Sequence, residues 1–242
     1  PITTLQTVWK MRARGVGNKV FTRPPNETFH QFLGFYLSDT LGHEWLAQEM
    51  QKPTGEGHLV ASWVNETHDL MSGHSEQMPE LPVKSVLMSG NSKALHSLAY
   101  DLYSISLSGE KIMPTMINRI KNIDQFQGAR YEVAVAAIAV RAGFNIKWII
   151  EKGVHCEFTG QHRTTGDKAV FEAKSHHREG VLGVGGEFNS ENAKVKITDH
   201  VREARSQARK DIPLVVFDDL NLPITGPAPL SEKKWFNDMD KQ

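Results

Sequence analysis

From Asn26 to Gln51 ("NETFHQFLGFYLSDTLGHEWLAQEMQ") apolar residues return at helical intervals. Phe29, Phe32, Leu33, Tyr36, Leu37 and Leu41 form one stripe, which predicts one or two helices. Further helical periods run from Leu59 to Met71, from Ser92 to Ser106 with Asn91 or Ser92 as cap, and from Pro114 to Lys121, where proline suits a first turn. The proline-bearing "SEQMPELPVK" between them reads as a loop. The first 122 residues are therefore expected to form a mostly helical N-terminal module, behind a basic opening that ends at the breaker "RPPNE".

The period then changes. "FQGARYEVAVAAIAVRAG" (126–143) is an Ala- and Val-rich helix ended by Gly143, with a broad apolar surface that asks for burial. "FNIKWII", "VHCEFTG" and "KAVFEAKS" read as three strands, the last two joined by a turn at "TTGD", and together they predict an antiparallel meander. A Gly-rich loop, "EGVLGVGGEFN", leads to a second helix, "TDHVREARSQARKD", with Thr198 or Asp199 as cap, and then to the strand "IPLVVF". The expected order in 123–242 is helix, three strands, helix, strand, an α+β or α/β arrangement.

Charge refines this only locally. The chain of 242 residues balances 28 Lys and Arg against 28 Asp and Glu, so any surface for a polyanion must come from clustering. Lys10, Arg12, Arg14, Lys19 and Arg23 stand in the first 26 residues with no acid among them, and residues 127–210 hold 14 basic against 10 acidic side chains. The single cysteine, Cys156, cannot form an internal disulfide, and no apolar run approaches the length of a membrane span. With no leader-like segment in view, a reducing cytoplasm and no membrane are the expectations.

Alternation along the strands brings the chemistry forward. Val154, Cys156 and Phe158 share one side of their strand, leaving His155, Glu157 and Thr159 on the other. In the next strand Ala169, Phe171 and Ala173 alternate with Val170, Glu172 and Lys174, so Glu172 and Lys174 project together. Pairing through the turn would bring Glu157, Glu172 and Lys174 to one face. Neighbouring carboxylates repel unless a cation lies between them, and a divalent metal is the simplest such cation. The bland alternative is an exposed strand face carrying a surface ion pair.

Glu157, then Glu172-Ala173-Lys174 in "VFEAKS", preceded by a helical Glu132 in "ARYEVAVAA", resembles the PD-(D/E)XK, or restriction-endonuclease-like, nuclease family. The family's αβββαβ core corresponds to about residues 126–218. The resemblance implies a Mg²⁺- or Mn²⁺-dependent endonuclease, acting on DNA, with Glu172 and the Ala173 carbonyl as metal ligands, Lys174 as catalytic lysine and Glu132 as the first-helix acid. Glu157 would fill the position where the family usually has aspartate, a residue shorter by one methylene.

Asp167 belongs to good hairpin-turn chemistry. His176, His177 and Arg178 follow the lysine and either contact phosphate or merely line a strand end. Arg202, Arg205 and Arg209 make a basic stripe suited to a DNA backbone, or a solvated helix face, and the resemblance draws in Gln207 as an accessory group. The remaining histidines show no zinc spacing, "GVLGVGG" lacks the βαβ setting of a dinucleotide fingerprint, and Cys156 reads as a small core residue. Two rival functions stand beside the nuclease: an inactive nuclease-like module that binds nucleic acid or protein, and a helical scaffold. A homodimer would suit double-strand cutting with one site per chain.

Overall fold

Gly17 and Asn18 turn the basic opening into a hairpin, so this stretch is not a prelude to helices. Strands β1 (Thr4–Val8), β2 (Met11–Val16) and β3 (Lys19–Arg23) form an antiparallel sheet. Val16 pairs with Lys19 across the two-residue loop, and Gly17 adopts φ 59°, where a side chain is disfavoured. Gly-Asn between Val16 and Lys19 is a hairpin signal that the charge pattern obscures. The basic side chains serve this fold. Arg12 donates to the Glu27 carbonyl (3.1 Å), Arg23 pairs with Glu27 (2.8 Å), Lys19 pairs with Asp39 (3.1 Å), and the Arg14 guanidinium lies 4.7 Å from the Phe32 ring centre.

The computed structural model describes residues 4–8, 11–73, 76–77, 84–150, 156–182, 186, 197–208, 211–222 and 229–232. The chain divides into two units, Pro1–Asn122 and Ile123–Gln242. In the first, α1 (Phe29–Leu41) starts from a capping box between Thr28 and Gln31, and Gly42 at φ 93° lets the chain turn directly into α2 (His43–Met50). Next come α3 (Leu59–Gly73), the two-residue strands β4 (Glu76–Gln77) and β5 (Lys84–Ser85), α4 (Gly90–Leu107) and α5 (Pro114–Lys121). The proline-bearing loop thus carries a short antiparallel pair. The cap of α4 is Ser89, whose hydroxyl accepts from the Ser92 N–H (3.1 Å), not Asn91 or Ser92. Phe32 and Tyr36 of α1, Phe21 of β3 and Tyr103 of α4 pack as an edge-to-face aromatic core, with Phe32–Tyr103 centres 6.0 Å apart.

The second unit follows the order α6 (Phe126–Arg141), β6 (Phe144–Trp148), β7 (Phe158–His162), β8 (Lys168–Ser175), α7 (Ile197–Gln207), β9 (Leu214–Asp219). Its four strands form one mixed sheet in the order β6-β7-β8-β9, antiparallel up to β8 and parallel between β8 and β9. Gly143 at φ 102° ends α6 as the spacing requires. Helix α7 begins at Ile197, so Thr198 and Asp199 lie inside its first turn and neither caps it; Asp199 there suits the helix dipole. Among the described residues no helix is long and apolar enough to cross a membrane.

The pairing registers put Phe144, Ile146, Trp148, Phe158, Gly160, Ala169 and Phe171 on one face of this sheet. That face is the core: Phe158 and Phe171 stack with centres 4.9 Å apart, and α6 packs on β6 and β8. Gly160 is required here because a Cβ would stand 2.8 Å from Phe171 Cε2 and 3.1 Å from Phe144 Cδ1. Gly160→Ala is expected to cost about 1–3 kcal/mol by overpacking, read as a lowered urea midpoint.

Candidate active site

The opposite face of β8 carries Val170, Glu172 and Lys174, and it meets α7. β8 is an internal strand, with β7 on one side and β9 on the other, which is why Glu172 is only 2% exposed despite its charge. Its Oε1 accepts from Lys174 Nζ (2.9 Å), while Oε2 is buried with no hydrogen-bond partner. Lys174 Nζ also reaches Glu203 Oε1 on α7 (3.0 Å), so one ammonium bridges an enclosed carboxylate and one that is 57% exposed. Burial pushes the Glu172 carboxyl above its ordinary range, against the pull of Lys174. Burial alone would push the Lys174 ammonium down, but its two carboxylate partners outweigh it and hold the amine above its usual value. This is an enclosed ion pair on an internal strand, not a surface one.

The approach to β7 differs from the expected alternation. β7 begins at Phe158, so Glu157 precedes the strand, and Val154 and His155 fall outside the described residues. The Glu157 N–H donates to the Phe171 carbonyl (3.1 Å), although Phe171 is already the register partner of Phe158. Two residues thus face one, as in a β-bulge, and the alternation shifts by one position. As a result Cys156, not Glu157, lies against Glu172: the thiol hydrogen-bonds that carboxylate, and burial followed by the Glu172 charge pushes its pKa up to about 11. Cys156 is buried as expected, but on the charged face. Glu157 is half-buried and close enough for its charge to act on the same thiol.

Asp218 and His200 complete this face. Asp218 of β9 is the register partner of Lys174, and its Oδ1 lies 2.8 Å from His200 Nδ1 on α7. Asp218 Oδ2 is buried without a partner. Tyr131 of α6 stands near enough that burial, with the charges of Asp219 and Asp218, pushes its phenol up to about 12. Beyond β8, Gln127 of α6 holds the following loop: its amide donates to the Arg178 carbonyl (3.0 Å), and its Oε1 accepts from the Arg178 N–H (3.2 Å) and from Asn221 Nδ2 (3.1 Å). His200 and Glu203, three residues apart with Gln207 a turn beyond, were the available signal on α7.

The other expected site residues are distributed as follows. Glu132 lies in the second turn of α6 and is buried. Ala173 is half-buried beside Phe217 of β9. The His176 N–H donates to the Asp219 carbonyl (3.0 Å), His177 is exposed, and Arg178 is tied by its backbone to Gln127. Arg202 pairs with Asp199 (2.9 Å) and Arg205 is exposed, so both occupy the solvent side of α7, while Gln207 turns inward and donates to Glu203 (3.3 Å). Arg209 and most of the Gly-rich loop fall outside the described residues. Asp167 sits in the turn, accepting from the Thr165 hydroxyl.

Carboxylate oxygens and a backbone carbonyl are the donors a hard divalent ion takes, and the partnerless Glu172 Oε2 is a buried atom that such an ion would satisfy. In donor chemistry the site fits. The acids do not form a closed set, however: among the described residues no three His, Cys, Asp or Glu side chains are grouped to hold an ion. The chain matches no family model, no curated protein and no solved structure.

Proposed function

We propose that residues 123–242 are a nuclease domain of the restriction-endonuclease-like kind, hydrolysing phosphodiester bonds, with DNA as the substrate. The observation that carries this is Glu172 with Lys174 two residues on: an enclosed carboxylate with an orphan oxygen, hydrogen-bonded to an amine, on the third strand of an α-β-β-β-α-β order. A buried carboxylate oxygen left unpaired asks for a partner, and a bound cation would supply one.

Glu172 and the Ala173 carbonyl would hold a Mg²⁺ or Mn²⁺, with Glu132 in support, while the bulge sets Cys156 rather than Glu157 against Glu172. Such an ion supplies polarisation of the phosphoryl group and a bound water of lowered pKa. Lys174 orients the attacking water and meets negative charge as it develops, and Glu203 keeps that amine charged and in place. The sheet and α7 keep bulk water from the inner carboxylate, which strengthens each of these interactions.

The rival reading, a nuclease-like module that binds nucleic acid without cutting it, is favoured because, among the described residues, no three His, Cys, Asp or Glu side chains are grouped to hold an ion. Plasmid incubated with the full chain, with and without Mg²⁺ or Mn²⁺, separates the two. Metal-dependent nicking that disappears in Glu172→Ala and Lys174→Ala supports the nuclease. Intact plasmid together with salt-sensitive binding supports the module.

A further inference from the structure

We propose that His200, held by Asp218, is the general acid that protonates the departing ester oxygen in the cleavage described above; this assignment rests on the nuclease reading. The His200–Asp218 pair has no part in that scheme, yet it adjoins the group that does the work. Asp218 is the register partner of Lys174 on parallel strands, about 4.8 Å across. His200 precedes Glu203 by three residues, about 5–6 Å between Cβ atoms, and Glu203 binds Lys174 Nζ at 3.0 Å. The dyad therefore stands one strand step and one helical turn from the catalytic amine.

The chemistry of the pair suits a proton donor. A carboxylate can only accept, so Asp218 fixes the hydrogen on Nδ1. Nε2 has no partner among the described residues. The side chains are 18% and 13% exposed, enclosed enough to be oriented but not sealed from a substrate. The charged and titratable groups facing them are Lys174 from β8, Glu203 from the same helix and, near Asp218, Tyr131 from α6. Asp199 and Arg202 pair with each other on the solvent side.

In-line displacement puts the attacking water and the leaving oxygen on opposite sides of phosphorus, so the amine that orients water and the acid must be separate groups. Lys174 on β8 and His200 on α7 meet that requirement. As the bond from water oxygen to phosphorus forms and the P–O ester bond breaks, water releases one proton to solvent. Nε2 gives one proton to the departing oxygen and is then reprotonated from solvent.

A leaving group that needs no proton tests this. The full chain with Mn²⁺ is given DNA containing one ordinary scissile linkage or one 3′-bridging sulfur linkage, which departs as a thiolate. His200→Gln is expected to slow ordinary cleavage about 10²-fold or more yet cleave the sulfur linkage near the wild-type rate, and Asp218→Asn is expected to follow it. Equal slowing of both linkages overturns the assignment and leaves His200–Asp218 as a tie between α7 and β9. A wild-type chain that cleaves neither linkage overturns the nuclease reading itself, and this assignment with it.

Discussion

Lys174→Met is expected to slow metal-dependent DNA cleavage by about 10²–10³-fold, the usual loss when one preorganised donor is removed from a site where charge develops. The same change also perturbs the fold. Lys174 is 15% exposed and is the hydrogen-bond partner of a carboxylate that is 3% exposed by its side chain. Removing one member of such a pair leaves an uncompensated buried charge, a loss of about 3 kcal/mol. Activity alone would therefore mislead. The control is Glu172→Gln combined with Lys174→Met, which removes the charge and its partner together. That double variant is expected to recover most of the stability and none of the cleavage. Stability that returns together with activity would place the chemistry elsewhere.

Glu172→Gln by itself is expected to abolish cleavage while raising stability at neutral pH by about 1 kcal/mol, within the range that relieving a functional-site strain returns. Burial holds the folded carboxyl above its unfolded value, so the folded state binds the proton more tightly. Glu172 therefore favours folding below its unfolded pKa, and that contribution disappears as pH rises through the higher folded one. Wild type and Glu172→Gln should match near about pH 4 and separate as pH climbs, with the variant more stable. Because the chain has two units, the measurement is urea-dependent hydrogen exchange at β8 amides, which reports on this sheet alone. A variant less stable than wild type at pH 7, with the gap closing toward pH 4, would mean that the ion pair is net stabilising and that Glu172 carries no strain.

Much of this arrangement is legible in the amino-acid order. "KAVFEAKS" coincides with β8, Gly143 ends α6, and the helix, three strands, helix, strand succession appears as read. Each of these depends on local period and turn chemistry, which a sequence writes directly. The sheet at residues 4–23 was equally local, with its Gly-Asn turn in plain view. The basic residues around it mask that turn, yet Arg12, Arg14, Lys19 and Arg23 all engage partners in their own unit.

What alternation could not carry is phase. The bulge at Glu157 shifts the alternation by one position, exchanging Glu157 for Cys156 beside Glu172, and no residue type marks it. Nor could spacing bring Glu203 to Lys174 or His200 to Asp218. Those contacts exist because α7 crosses back over the sheet so that β9 can lie parallel to β8, and which helix residues then face the strand is set by packing. The chain by itself determined the elements and which charged residues lie on the inner strand, because both follow from neighbours a few positions away. Which of those charges meet, and that one carboxylate oxygen is left buried without a partner, was decided only when elements distant in sequence came together.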